Sequence, residues 1–191
     1  PISAVAGCQS YRCCGLIGLD FMPLEHQALK SAARNFHAPV VLVDTPIVDP
    51  DYVTVNSDTR TGAGDAVRRL IADGHRRIGC IGIRELSSRT AGYRDAMAEA
   101  GLTPEPGWIR ETALQAELGT TLSEAVSRDM VQLLTAGRLT AVFCASDPLA
   151  MQLYQVAAAL GIRIPEDLSI AVAANSHYAQ LATPPLSSVA H

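Results

Sequence analysis

Val53–Gly82 reads VTVNSDTRTGAGDAVRRLIADGHRRIGCIG. Its two ends and its middle carry different periods. Val53–Asn56 (VTVN) predicts a strand. Gly62–Asp73 predicts a helix, with Ala63, Ala66, Val67, Leu70 and Ile71 on one face, and Gly74 stops it. Arg77–Ile83 (RIGCIGI) is apolar throughout and reads as a buried strand. His75, Arg76 and Arg77 are read as part of the helix stop, where basic side chains suit the C-terminal end of the helix dipole.

The same alternation runs in both directions. Downstream, Ser88–Ala100 predicts a helix closed by Gly101, and Pro104–Gly107 a turn. Thr120–Thr135 is a helix on Leu122, Ala125, Val126, Met130, Leu133 and Leu134. Thr140–Ala145 (TAVFCA) is a strand, followed by a helix that Asp147 is expected to cap and that ends at Gly161. Leu168–Ala173 (LSIAVA) and Leu186–Val189 are further strands. Upstream, Gly15–Asp20 (GLIGLD) predicts a buried strand and Pro23–Phe36 a helix. Pro39–Asp44 (PVVLVD) predicts a strand buried on both faces, and Thr45–Asp51 a crossing loop. Repeated strand–helix–strand units imply an α/β fold of parallel sheets with helices on both faces. Ligands of such sheets sit at the carboxyl ends of the strands.

Composition narrows the function classes. The 191 residues are 48% hydrophobic and 18% charged, which is globular and not disordered. Net charge is −4 with no basic stripe, so any grip on DNA must come from residues outside this stretch. Cys8, Cys13 and Cys14 form a CxxxxCC cluster without the second Cys/His pair that zinc requires, and the five cysteines read as reduced thiols of a cytoplasmic protein. No cofactor or metal is expected. No apolar run reaches the ~20 residues of a membrane helix. No nucleophile elbow, phosphate loop or paired-histidine zinc motif marks an enzyme. The chain begins at Pro1 and is read as part of a longer polypeptide.

Four stretches, in order, resemble the lactose/galactose-repressor (LacI/GalR) family of bacterial transcriptional regulators. Val55–Gly82 is similar to its V-x-x-D-N-x-x-G-x-x-x-A-x-x-x-L-x-x-x-G-H-r-r-I run, with Asp58 at the aspartate and Thr59 in place of asparagine. Arg89–Met97 (RTAGYRDAM) resembles R-x-x-G-y-r-x-A-l. Thr140–Ala150 (TAVFCASDPLA) resembles t-A-v-f-c-a-N-D-x-x-A, with Ser146 for asparagine. Leu160–Val189 resembles l-G-i-r-v-P-e-D-l-S-v-v-G-f-D-d followed by P-p-L-T-T-V. The resemblance implies two α/β subdomains of periplasmic-binding-protein-like type I, the N-subdomain incomplete: 1–52 partial N-subdomain, 53–62 a crossing segment, 63–183 the C-subdomain, and 184–191 a second crossing.

It also implies a ligand-sensing domain, not an enzyme. A small-molecule, sugar-like effector would bind between the subdomains and control DNA binding in a homodimeric repressor. The operator-binding helix-turn-helix would lie outside this chain. A periplasmic substrate-binding protein of a sugar transporter shares the fold and is the alternative.

The candidate effector-binding residues are Arg89, Phe143, Ser146, Asp58, Asp44 and Asn175. Arg89 opens a helix after a strand and can fork onto hydroxyls or a carboxylate. Phe143 either stacks on a ligand ring or belongs to the core. Ser146 either donates to ligand or helps cap the next helix. Asp44 and Asp58 either accept from ligand hydroxyls or steady loops. The family's sugar-binding aspartate falls on Ala174, and the neighbouring Asn175 is expected to substitute for it in part.

Overall fold

The computed structural model describes residues 13–19, 30, 39–45, 49–113, 124–136, 138–174 and 176–189. The chain divides into two compact units, Pro1–Ser57 and Asp58–His191, a division that falls inside the predicted 53–62 crossing.

The first unit carries three parallel strands in the order β1 (Leu16–Leu19), β2 (Val40–Val43), β3 (Val53–Val55). Their register puts Ile17, Val41 and Val53 in one row and Leu19, Val43 and Val55 in the next. All six share one face, since side chains alternate along a strand. That face is open: Ile17 is 71% exposed and Val53 62%. Leu42, on the opposite face, is fully buried. The expectation that Gly15–Asp20 and Pro39–Asp44 would be buried strands is thus corrected: the strands form, but only one face of their sheet is covered. The helix expected over Pro23–Phe36 lies outside the described residues, apart from the helical Lys30.

The second unit is a five-stranded parallel sheet in the order β5 (Ile109–Thr112), β4 (Ile78–Ile83), β6 (Ala141–Cys144), β7 (Ser169–Val172), β8 (Ser187–Ser188). Alternation along the strands divides its core in two. Ile78, Cys80, Ala141, Phe143 and Ala171 pack against α1 (Thr59–Ala72) and α2 (Ser87–Glu99) through Ala63, Val67, Tyr93 and Met97. Ile81, Ile83, Val142, Cys144 and Ile170 pack against α3 (Glu124–Ala136) and α4 (Asp147–Ala159) through Met130, Leu133, Leu149 and Leu153. A short α5 (His177–Leu181) precedes β8.

The helix stop read at Gly74 holds. Gly74 has φ +96 and donates to Ile71 O, while Arg76 Nη1 donates to the same carbonyl at 2.8 Å. Both contacts satisfy the orphan acceptors of a helix end. β5 and α5 were not anticipated. The β5 residues Ile-Arg-Glu-Thr alternate poorly, and α5 is too short to show a period. Pro184–His191, expected as a crossing, contains β8, and Val189 N extends that pairing to Val172 O.

The cysteines separate by burial. Among the described residues Cys13 and Cys14 are exposed, whereas Cys80 and Cys144 are buried. Burial pushes the Cys80 thiol up to about 12 and Cys144 well above the usual range, because an apolar surround disfavours the thiolate.

Candidate functional site

The carboxyl ends of β4, β6 and β7 are where a parallel sheet offers side chains to a ligand. β4 ends at Ile83 and passes through a 3₁₀ turn, Arg84–Leu86, into α2. That turn places Arg89 in the first turn of α2, half-buried, with Nη1 donating to Ala145 O at 2.7 Å. Ala145 itself continues β6, its N–H donating to Ile81 O. The guanidinium is therefore fixed across the ends of two adjacent strands, beside the residue that opens α4.

That residue is Ser146. It is extended, at φ −148 and ψ 157, and its hydroxyl accepts from Leu149 N at 3.4 Å. The expectation that Asp147 caps α4 is corrected, since Ser146 takes that place. Both types cap well; the extended backbone belongs to Ser146. Asp147 is the first helical residue and is fully buried. Its Oδ2 accepts from Ser176 N at 2.6 Å, across to the segment after β7. Its Oδ1 has no hydrogen-bond partner among the described residues. A buried carboxylate oxygen left so is costly. The positive end of the α4 dipole offsets part of that cost.

The other predicted residues separate from this group. Phe143 is fully buried, its ring stacked on Tyr93 at 6.4 Å between centroids and 14° between planes. Of the two readings open for it, the structure shows the core. Asp58 is the N-cap of α1, accepting from Thr61 N at 3.1 Å and Thr61 Oγ1 at 2.7 Å. Those two bonds hold its carboxyl below the usual range. Asp44, in the first unit, sits at φ 50 and accepts from Ser57 N and Ser57 Oγ at 3.2 and 3.0 Å. Asp44 and Asp58 thus have the loop and cap partners that their second reading required. Asn175 lies outside the described residues. Ala174, at the family's aspartate position, is half-buried just past β7.

So the structure brings Arg89 and Ser146 together and adds Asp147 and Ser176. Sequence reasoning missed Ser176 because nothing in it marks a backbone N–H donor 29 residues from its acceptor. A separate groove of about 470 Å³ lies between α1 and α2, where Arg60, Arg68, Asp95 and Glu99 surround Gly92. None of the predicted site residues lines it. Among the described residues no three His, Cys, Asp or Glu converge on a metal position, and no helix is long and apolar enough to cross a membrane.

Residues 67–191 match the periplasmic binding protein-like domain. Over 157 residues, 80% of this chain, the sequence is 36% identical to the HTH-type transcriptional repressor CytR of Escherichia coli K12, and the match takes in 44% of that protein. The chain spans about half the length of the curated relatives it matches. Among solved structures it resembles the transcriptional regulator CelR–cellobiose complex, with TM-score 0.77 and 27% identity over 97% of this chain and 56% of that one. A regulatory protein of the LacI family from Chloroflexus aggregans gives TM-score 0.77 and 27% identity over 98% of this chain and 66% of that one.

Proposed function

Because this chain belongs to the periplasmic binding protein-like family, in the form carried by LacI-family repressors, we propose that it is the effector-sensing part of a LacI-type transcriptional regulator. The effector is a small, sugar-like molecule. It engages the strand ends of the second unit through Arg89, and the resulting change of state governs DNA binding by polypeptide outside these residues. The working protein is a cytoplasmic homodimer. The transporter reading loses its footing, because the relatives are repressors and regulators. They are not enzymes either, so ligand binding without turnover is the activity assigned.

One observation carries this reading: the Arg89 guanidinium held on Ala145 O, at the opening of α4. A planar fork of donors, already oriented, recognises hydroxyl pairs or a carboxylate with little loss of side-chain freedom. Ser146 and Asp147 supply the surrounding polar atoms. Ala174 offers no acceptor, so an effector that depends on a carboxylate at that point binds weakly. An oriented hydrogen bond to a charged group is worth ~1.5–3 kcal/mol.

Titration calorimetry of the protein against a sugar panel that includes cellobiose and ribose tests the proposal. At least one member is expected to bind, and Arg89→Ala is expected to remove that binding while changing the melting temperature little. Undiminished affinity in Arg89→Ala would sink the assignment. Ala174→Asp sharpens it: a gain for simple sugars is expected, and no gain across the panel refutes the account of Ala174.

A further inference from the structure

Arg89 is fixed at its head by Ala145 O, and its backbone is fixed by an unusually close pairing of α1 with α2. Thr59 Oγ1 and Ser88 Oγ share a hydrogen bond of 2.9 Å. Arg60 grips Asp95 with two bonds, Nε at 2.6 Å and Nη2 at 3.0 Å. Between these, Gly92 meets the start of α1 backbone to backbone. A methyl placed on Gly92 would stand 2.1 Å from Arg60 O and 3.0 Å from Gly64 N, so no other residue fits. The three contacts bracket Arg89, one residue before it and three and six residues after. On α1 they fall on Thr59, Arg60 and Gly64, within the first two turns after the Ser57–Asp58 boundary of the two units.

We infer that the first two turns of α1 and the Ser88–Asp95 stretch of α2 form one fixed strut that ties Arg89 to the boundary between the units, with Ser88, Gly92 and Asp95 as positioning residues. The inference rests on the reading of Arg89 as an effector contact. Its logic is mechanical. A ligand that bears on the guanidinium while it stays held on Ala145 O loads the first turn of α2. Backbone packed against backbone at Gly92 leaves no soft side chain to absorb that load. The load passes to Asp58–Arg60, where Asp58 caps α1 and the second unit begins. Thr59–Ser88 and Arg60–Asp95 are exposed and bury little apolar surface. Their value lies in the register they set, because exposed pairs contribute little stability.

Hydrogen exchange on the ligand-free chain tests the strut, so its outcome is independent of whether the strand-end site binds a sugar. The probes are the Gly62–Ala66 amides of α1, with Val142 and Ile170 as core controls. Ser88→Ala combined with Asp95→Ala is expected to raise exchange at Gly62–Ala66 by about threefold or more, with the controls unchanged. Arg89→Ala is expected to raise the same amides. If Arg89 and the strut act in series, adding Arg89→Ala to the double variant gives no more than the larger of the two effects. Unchanged exchange in the double variant overturns the inference. Effects that multiply in the triple variant also overturn it, as does a rise shared by the core controls, which marks general loosening.

Discussion

The first-unit sheet and the second-unit sheet are written in the same alphabet. Both are parallel, and both use short apolar strands such as Val40–Val43 and Ala141–Cys144. Yet β6 is buried at every position, while β1 and β3 leave Ile17, Leu19, Val53 and Val55 in solvent. The strands do not differ in kind; what the described residues lay over them does. In the second unit α1 and α2 take one face and α3 and α4 the other. Parallel sheets are stable when both faces are covered. Strand pattern therefore predicts where a chain pairs, whereas burial of a sheet face follows from what packs against it, as α1–α4 do in the second unit.

The strongest way to break this comparison is to hollow out the covered sheet. Phe143→Ala, at a fully buried position stacked on Tyr93, is expected to cost about 3–5 kcal/mol in a denaturant titration. A loss below 1 kcal/mol, within the range of ordinary surface changes, would show that the second unit's core is looser than drawn. A smaller effect, about 1 kcal/mol, is expected for Ser146→Ala, which removes the α4 cap. Ser146→Asp should restore most of that loss, and failure of the rescue would assign the cost to something besides capping.

The open sheet is expected to behave oppositely. Ile17→Thr or Val53→Thr should shift stability by only about 0.5 kcal/mol in either direction, since each side chain is already in water. The same changes should lower binding of a dye that reports exposed apolar surface. A loss of 2 kcal/mol or more would mean that this face is covered in solution. The smallest effect concerns pH. Arg163 holds the Asp167 carboxyl down at about 2, below its ordinary 3.8, so the pair stabilises the fold above the ordinary value and fades as pH falls towards 2. Asp167→Asn should flatten that part of an acid titration slightly, because the pair is exposed and screened. An unaltered acid limb would remove the pair from the account.

Much of the second unit was legible from residue pattern: α1 and α4 carry an apolar face, α1, α2 and α4 are closed by Gly74, Gly101 and Gly161, and β4 is an unbroken apolar run. The boundary error at α1 is instructive. Its helix begins at Thr59 and not Gly62, because Asp58 and the Thr61 hydroxyl build a cap five residues before the apolar face begins at Ala63. The site was less legible. Arg89 and Ala145 are 56 positions apart, and only the β4–β6 pairing brings them within 2.7 Å. Ser146 and Asp147 are both good caps by type, and backbone angles alone separate their roles. Phe143 lies on the strand just before the site, where alternation could send it either way; its register opposite Cys80 puts it on the α1–α2 face.

The uneven burial of the thiols turns this protein into its own instrument. With Cys80 and Cys144 sealed and their thiolates suppressed, an alkylating fluorophore or spin label applied to the native chain should enter among the cysteines ahead of β1, the exposed Cys14 included, and leave the second unit untouched. A probe placed there without any engineering reports from just ahead of β1. Its signal can then be followed while a candidate sugar is titrated, which gives the proposed strand-end site a second readout on one unmodified sequence.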